Sequence, residues 1–406
     1  MRKLGGRDFT LFWTAETLST FGSSFSFVAV PLLVLHATGS VAQMGLLTGV
    51  SSVAGLAAGV FAGSIADRFD RRRLLIAANL AQAVLFGAIP AVWFFASPIW
   101  LLYVTVPLAA VFAMIFRVTY VTVVPRLVDA DQITEANGRL SASFAATGII
   151  GPVLAGLISG QFGPQAAIGV DAVSFALAGA GLVLVHLRPP SSAAAAEPAG
   201  WWRDLVTGAA FLWRHPVLRW LTVLLTALIF FWQGLVDLLI FYLKHDLAQP
   251  DQTVGSVMAV ATVGTLAGAL GVARLRRRIG FGASWIGSSV LAGVAVAATA
   301  FTHSVIGVAA LATIAYALTA VGGICSMSLR QEVTPDALLG RVTSAFWTIH
   351  FALGPIGAAV VTALAARLGA STVIGVCGVA YMLIAALGIL TPIRQPHPER
   401  IALDPA

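Results

Sequence analysis

The chain has 406 residues, of which 58% are hydrophobic and 10% charged, and its mean hydropathy is +0.91. Soluble globular domains carry about a quarter of their residues as charge, so the composition excludes a soluble protein and requires an integral membrane one. The formal net charge of +7 does not point to nucleic acid, because the basic residues are scattered over many short turns instead of gathering on one face.

About twenty apolar residues make one membrane crossing. By that measure twelve spans are expected, at 12–36, 41–66, 74–96, 99–124, 140–160, 165–187, 217–243, 252–273, 281–302, 305–328, 342–366 and 370–391. Lipid offers no partner to an unpaired backbone group, and the segments lack the alternation of barrel strands, so all twelve are read as helices. Met1-Arg-Lys precedes an apolar stretch too long for a signal-peptide core, and no cleavable leader is expected. Cys325 and Cys377 fall inside apolar runs and are read as small packing residues. If both termini are cytoplasmic, the inner turns and tails hold 21 of the 24 Lys and Arg residues, Arg330 and Arg341 among them. Such asymmetry orients the chain in a cell's inner membrane.

Between the second and third spans, Gly63-Ser-Ile-Ala-Asp67-Arg68-Phe-Asp70-Arg71-Arg72-Arg73 crowds four arginines and two aspartates into one tight inner turn. Between the sixth and seventh, Pro189 to Gly200 has linker composition. The Trp201–Arg219 stretch that follows reads as an amphipathic helix on the inner leaflet. The expected organisation is therefore an N-terminal six-helix half (1–188), a cytoplasmic linker with its interfacial helix (189–216), a C-terminal six-helix half (217–393) and a cytoplasmic tail (394–406). The halves repeat one another. Gly138-Arg139, Phe144 and Gly151-Pro152 have counterparts in Gly340-Arg341, Phe346 and Gly354-Pro355, and the arginine turn at 68–73 has one at Arg274–Arg278.

The spacing Gly63-x-x-x-Asp67-Arg68-x-x-Arg71-Arg72 resembles the loop signature of the major facilitator superfamily of transporters. Asp70 stands where the general pattern has glycine, and the Asp-Arg-x-Asp-Arg-Arg version is similar to the macrolide-efflux and enterobactin-exporter branch. Phe9-x-Leu-x-Trp13, Phe116 and Pro125-x-Leu-Val128 look like the same branch. Gly148-Ile-Ile-Gly151-Pro152-Val-Leu-Ala155-Gly156 resembles the antiporter motif of proton-coupled drug exporters, with Ala155 in place of a glycine. The resemblance covers essentially the whole chain. It implies an all-α membrane protein of two pseudo-symmetric six-helix halves, a substrate site between them near the bilayer midplane, and no cofactor or metal beyond a proton gradient.

Ionisable groups inside the bilayer are costly and tend to mark a pathway. Glu16 lies about seven residues into the first helix and Arg117 about eight from the inner end of the fourth, each about 10 Å deep at 1.5 Å per residue. The resemblance implies that helices one, four, seven and ten line the cavity, so Glu16 and Arg117 are expected to face each other, with snorkelling to the interface as the alternative. Asp237, with Gln233 one turn earlier, is a second cavity candidate, or else an outer-interface carboxylate near Lys244. Asp171 is expected to be a hydrogen-bonded packing residue. His350 titrates near neutral pH if accessible and is otherwise a structural group. The expected lining is apolar and aromatic, from Phe12, Trp13, Phe230, Phe231 and Trp232. A cytoplasmic gate is expected from Gly63, Asp67, Arg68, Arg71 and Arg72, with Asp67 meeting the helix that begins at Gly340 and Arg341, and with Asp131 and Glu135 answering Arg277.

No Gly-x-Ser-x-Gly or His-x-x-x-His arrangement places catalytic groups on facing positions, and no nucleotide-binding Gly-x-x-x-x-Gly-Lys loop is present. The sequence therefore favours a monomeric secondary transporter over an intramembrane enzyme or a nucleotide-driven pump, with a small-molecule substrate and the lipid bilayer as its partners. The reading it supports is proton-coupled efflux of hydrophobic or amphipathic small molecules, with siderophore export or import by the same superfamily as alternatives.

Overall fold

The computed structural model describes residues 6–129, 132–187 and 201–400, less the side chains of 60, 63–64, 66–67, 121–122, 125, 133–134, 201, 336–337 and 351. Among the described residues the chain is all helix and turn. The helices are α1 (Gly6–Thr38), α2 (Val41–Arg68), α3 (Arg71–Trp93), α4 (Ile99–Val123), α5 (Ile133–Phe162), α6 (Pro164–Leu182), α7 (Trp201–Arg214), α8 (Pro216–Phe241), α9 (Asp251–Thr299), α10 (Val305–Val333), α11 (Asp336–Leu368) and α12 (Ala370–Ala386). Eleven of them are long and apolar enough to cross a membrane, all but the short α7. The 49-residue α9 breaks direction at Gly280, where φ is 79° and ψ 175°, so it contributes two crossings and brings the total to the expected twelve.

The ends of the helices follow from local chemistry. Asp70 caps α3, its carboxylate accepting the Arg73 N–H at 2.9 Å, and Ser40 and Ser304 cap α2 and α10 in the same way. The repeat is visible in the backbone. Gly163 between α5 and α6 and Gly369 between α11 and α12 take nearly the same left-handed turn, φ 85° and 87°. Gly39 before α2 (φ 64°) is matched by Ala248 before α9 (φ 52°), the one non-glycine with positive φ among the described residues. Hydropathy starts the fifth and eleventh spans at 140 and 342, whereas α5 begins at Ile133 and α11 at Asp336. The helices continue beyond the hydrocarbon, where a hydropathy window loses them.

The chain divides into two compact units, Met1–Ala193 with Gln249–Ala259, and Ala194–Ala248 with Val260–Ala406. In the first, α1 packs on α5 and α6, α2 on α4, and α3 on α4 and α6. Its buried core gathers Phe9, Phe12, Leu75, Val123, Leu127 and Leu182. Gly151 lies against Ser24 of α1, and a Cβ on Gly156 would come 3.0 Å from the Gly255 Cα, so the motif-bearing helix is built for close backbone approach. In the second unit, α8 packs on α11, and α12 on both. The amphipathic α7 packs on α11, where Gly208 lets it lie on the Arg341 backbone and Asp204 Oδ1 forms an ion pair with Arg341 Nε at 2.7 Å.

Candidate functional site

A cavity of about 390 Å³ opens within the first unit, lined by residues of α1, α3, α4, α5 and α6. That volume lies in the range of small-molecule sites. The α1 face supplies Glu16, Thr17, Ser19, Thr20 and Ser23, α4 supplies Phe116, Arg117 and Tyr120, and α5 supplies Ser141, Ser143 and Phe144. Glu16 and Arg117 therefore share one cavity, as their helix positions imply. They do not form an ion pair. Thr20 Oγ1 donates to Glu16 Oε1 at 3.5 Å, while Oε2 is buried without a hydrogen-bond partner and Arg117 is exposed.

The aromatic residues of the lining are Phe116, Tyr120, Phe144 and Phe175, and the expected Phe12 and Trp13 of α1 are not among them. Phe12 is fully buried in the core, stacked on Tyr120 at 5.6 Å between ring centroids. Trp13 is tied down by its indole N–H, which donates to Ser143 Oγ at 2.9 Å. Helix number tells which helices line a cavity but not their rotation. The buried stripe of α1 runs through Phe9, Phe12, Ala15, Ser19 and Gly22, and this turns Glu16 and its neighbouring hydroxyls toward the cavity. Gln82 of α3 also reaches it, and Asn79 one turn earlier accepts from Ser19 at 3.3 Å. Both interrupt the apolar run 74–96, and that interruption is the signal by which the sequence marks them.

Asp171 of α6 is completely buried and accepts hydrogen bonds from Ser26 of α1 and Ser174 of its own helix. It fastens α1 to α6, as a packing residue would. In the second unit Asp237 is 3% exposed, and Gln233 lies against Gly354 of α11. Trp232 lines a small apolar pocket with Tyr316, Leu235 and Leu239. His350 is fully buried, its Nδ1–H donating to the Phe346 carbonyl at 2.6 Å and its ring stacked on Phe346 at 3.7 Å.

Three of the expected gate charges, Arg72, Glu135 and Arg341, meet local partners. Arg72 donates from Nε to the Leu182 carbonyl at 3.2 Å and from Nη2 to that of Val183, satisfying the open end of α6. Arg139 donates to Glu135 at 3.2 Å one turn away. Arg341 is held by Asp204, and Arg276 makes a two-pronged pair with Glu332 at 2.8 and 2.6 Å. Arg68 is exposed at the end of α2, and Arg277 lines an open basic cavity with Arg276 and Arg278. The side chains of Gly63 and Asp67, and the whole of Asp131, lie outside the described residues. Gly148 sits in the body of α5.

The sequence model of the Major Facilitator Superfamily matches residues 12–358. The chain belongs to that superfamily. It is a transporter and not an enzyme. Among relatives, it is 24% identical over 381 residues to the multidrug efflux pump Tap of Mycolicibacterium fortuitum, covering 91% of this chain and 92% of the relative. It is 27% identical over 412 residues to the enterobactin exporter EntS of Shigella flexneri, covering 93% and 91%. The same fold is seen in the nucleoside transporter NupG, with a TM-score of 0.79 at 11% identity over 95% of this chain and 98% of that one. A bacterial homologue of the human lysosomal transporter Spinster gives a TM-score of 0.77 at 16% identity, covering both chains fully.

Proposed function

We propose that this transporter exports amphipathic small molecules in exchange for protons, with Glu16 as the coupling carboxylate. The observation that carries the reading is the state of Glu16. One of its oxygens is buried without a partner in the wall of a 390 Å³ cavity that also holds Arg117. A carboxylate so placed gains by taking up a proton or by meeting a cation, and it cannot do both. Export as the direction is supported by two relatives, a multidrug efflux pump and an enterobactin exporter. The hydroxyls and the amide lining the cavity favour, as a second reading, a more polar secondary metabolite such as a siderophore.

In this reading the protein works as a monomer in the inner membrane with both termini cytoplasmic, supported by the 21 of 24 basic side chains on that side. The charged turn with Asp67, Arg68 and Arg71 serves as the cytoplasmic gate. Asp237 and Gln233 are the polar groups of the second unit nearest in kind to Glu16. The test uses proteoliposomes carrying ethidium under an imposed pH gradient. Glu16→Gln is expected to lose gradient-driven accumulation while keeping ethidium exchange without a gradient, and gradient-driven transport at the parental rate would remove Glu16 from the coupling role.

A further inference from the structure

The second unit holds a buried polar cluster that the proposal above does not use. Ser326, Arg330 and Thr334 follow one another at four-residue spacing and so share a face at the inner end of α10. They are 2%, 1% and 5% exposed. Ser326 Oγ, Arg330 Nε and Nη1, and Thr334 Oγ1 all lack a hydrogen-bond partner. From α11, the Phe346 ring lies 3.7 Å from the Arg330 guanidinium carbon and the Trp347 ring 5.7 Å from it. His350, stacked on the same Phe346, leaves its Nε2 without a partner.

An arginine was expected here as a solvated charge of an inner turn; the structure buries it inside a helix. A buried cation needs a counter-charge. The face of Phe346 offsets part of the desolvation cost, and so do the carbonyls at the end of α10. Neither supplies an anion. Glu332, two residues away in sequence, is committed to Arg276, and no acidic side chain is paired with Arg330 among the described residues. Water would satisfy hydrogen bonds but leave the charge uncompensated.

We propose that Arg330 anchors an oxyanion subsite, so that the molecules this transporter recognises include aromatic organic acids. The guanidinium fork would take a carboxylate through its two free N–H directions, with the Ser326 and Thr334 hydroxyls as further donors. The Trp347 ring would lie against the aromatic body. Trp347 is 39% exposed. The inference rests on the reading of the chain as a carrier of small organic molecules, but it is independent of proton coupling through Glu16.

Equilibrium dialysis of the purified full-length protein in detergent, without any gradient, compares salicylate with its neutral isostere salicylamide at constant ionic strength. The parent is expected to bind salicylate at least about tenfold tighter than salicylamide, the loss expected when a charged partner is removed. Arg330→Met is expected to abolish that preference. Arg330→Lys, which keeps the charge and loses the fork, is expected to bind about tenfold more weakly than the parent, and this comparison decides the matter should Arg330→Met not fold. Equal binding of the two probes by the parent, no salicylate binding, or unchanged binding in Arg330→Lys would each overturn the proposal. Loss of proton coupling in Glu16→Gln leaves this result unaffected, so the two readings fail separately.

Discussion

The first half of α9 meets α10 through two glycines one turn apart, Gly264 against Thr313 and Gly268 against Ala317. A Cβ placed on Gly268 would lie 2.9 Å from the Ala317 carbonyl carbon and 3.1 Å from its Cα. Carbon atoms in contact prefer about 3.5–4.0 Å, so Gly268→Ala forces the two backbones apart by about half an ångström or more. Neither side of that contact is a flexible side chain that can turn aside. Overpacking of this kind costs about 1–3 kcal/mol. Replacing glycine by alanine inside a helix returns up to about 1 kcal/mol, which leaves a net loss of up to about 2 kcal/mol. Gly271, three residues on in the same helix, has nothing within 4 Å of its Cβ position. Gly271→Ala should therefore hold or raise the apparent Tm, while Gly268→Ala should lower it, with both read by fluorescence-detected gel filtration after heating in one detergent. The same substitution with opposite signs separates packing from helix propensity. If both variants shift the same way, the close α9–α10 approach is refuted.

Two further outcomes follow from residues outside the spans. His215 caps α8, its Nδ1 accepting the N–H groups of Val217 and Leu218 at 3.3 Å each, and burial lowers its pKa from the ordinary histidine value. The unfolded chain therefore takes up the proton first, so stability contributed by this neutral cap is full above about pH 6.5 and falls as pH drops toward the lowered folded pKa. His215→Asn, which retains a capping acceptor, should flatten the dependence of Tm on pH between about 5 and 7, and an unchanged profile contradicts the assignment. Ala248 holds a left-handed φ of 52° that costs a non-glycine residue about 1 kcal/mol. Ala248→Gly should match or raise the parental Tm, and a fall of several degrees would show that the strain is absent.

The sequence disclosed the fold because membrane helices are written in long apolar runs and because the charged turn at 63–73 has a recognisable spacing. It also offered Glu16 and Arg117 as residues of two cavity helices at one depth, and both line one cavity without pairing. What the sequence did not disclose depends on helix rotation and on where a helix truly ends. Phe12 is core and Thr20 is lining because α1 turns its Phe9–Gly22 stripe inward, which helix order does not specify. Arg330 reads as a turn residue by hydropathy, yet α10 runs on to Val333 and buries it against Phe346. Arg72 and Arg341 read as gate charges, but open helix carbonyls at the end of α6 and Asp204 on α7 lie within their reach. Arginines that satisfy topology also satisfy whatever acceptors lie nearest, and only the folded chain shows which.

The central claim is that cargo and proton compete at Glu16, and proton release on cargo binding tests it without any transport step. Purified protein in weakly buffered detergent near neutral pH is mixed with ethidium while a pH-sensitive dye reports the solution. The parent is expected to release protons in a saturable way, up to about one per protein molecule by linkage, and Glu16→Gln to release none under the same loading. Equal release from the two proteins would contradict the account and transfer the coupling role away from Glu16.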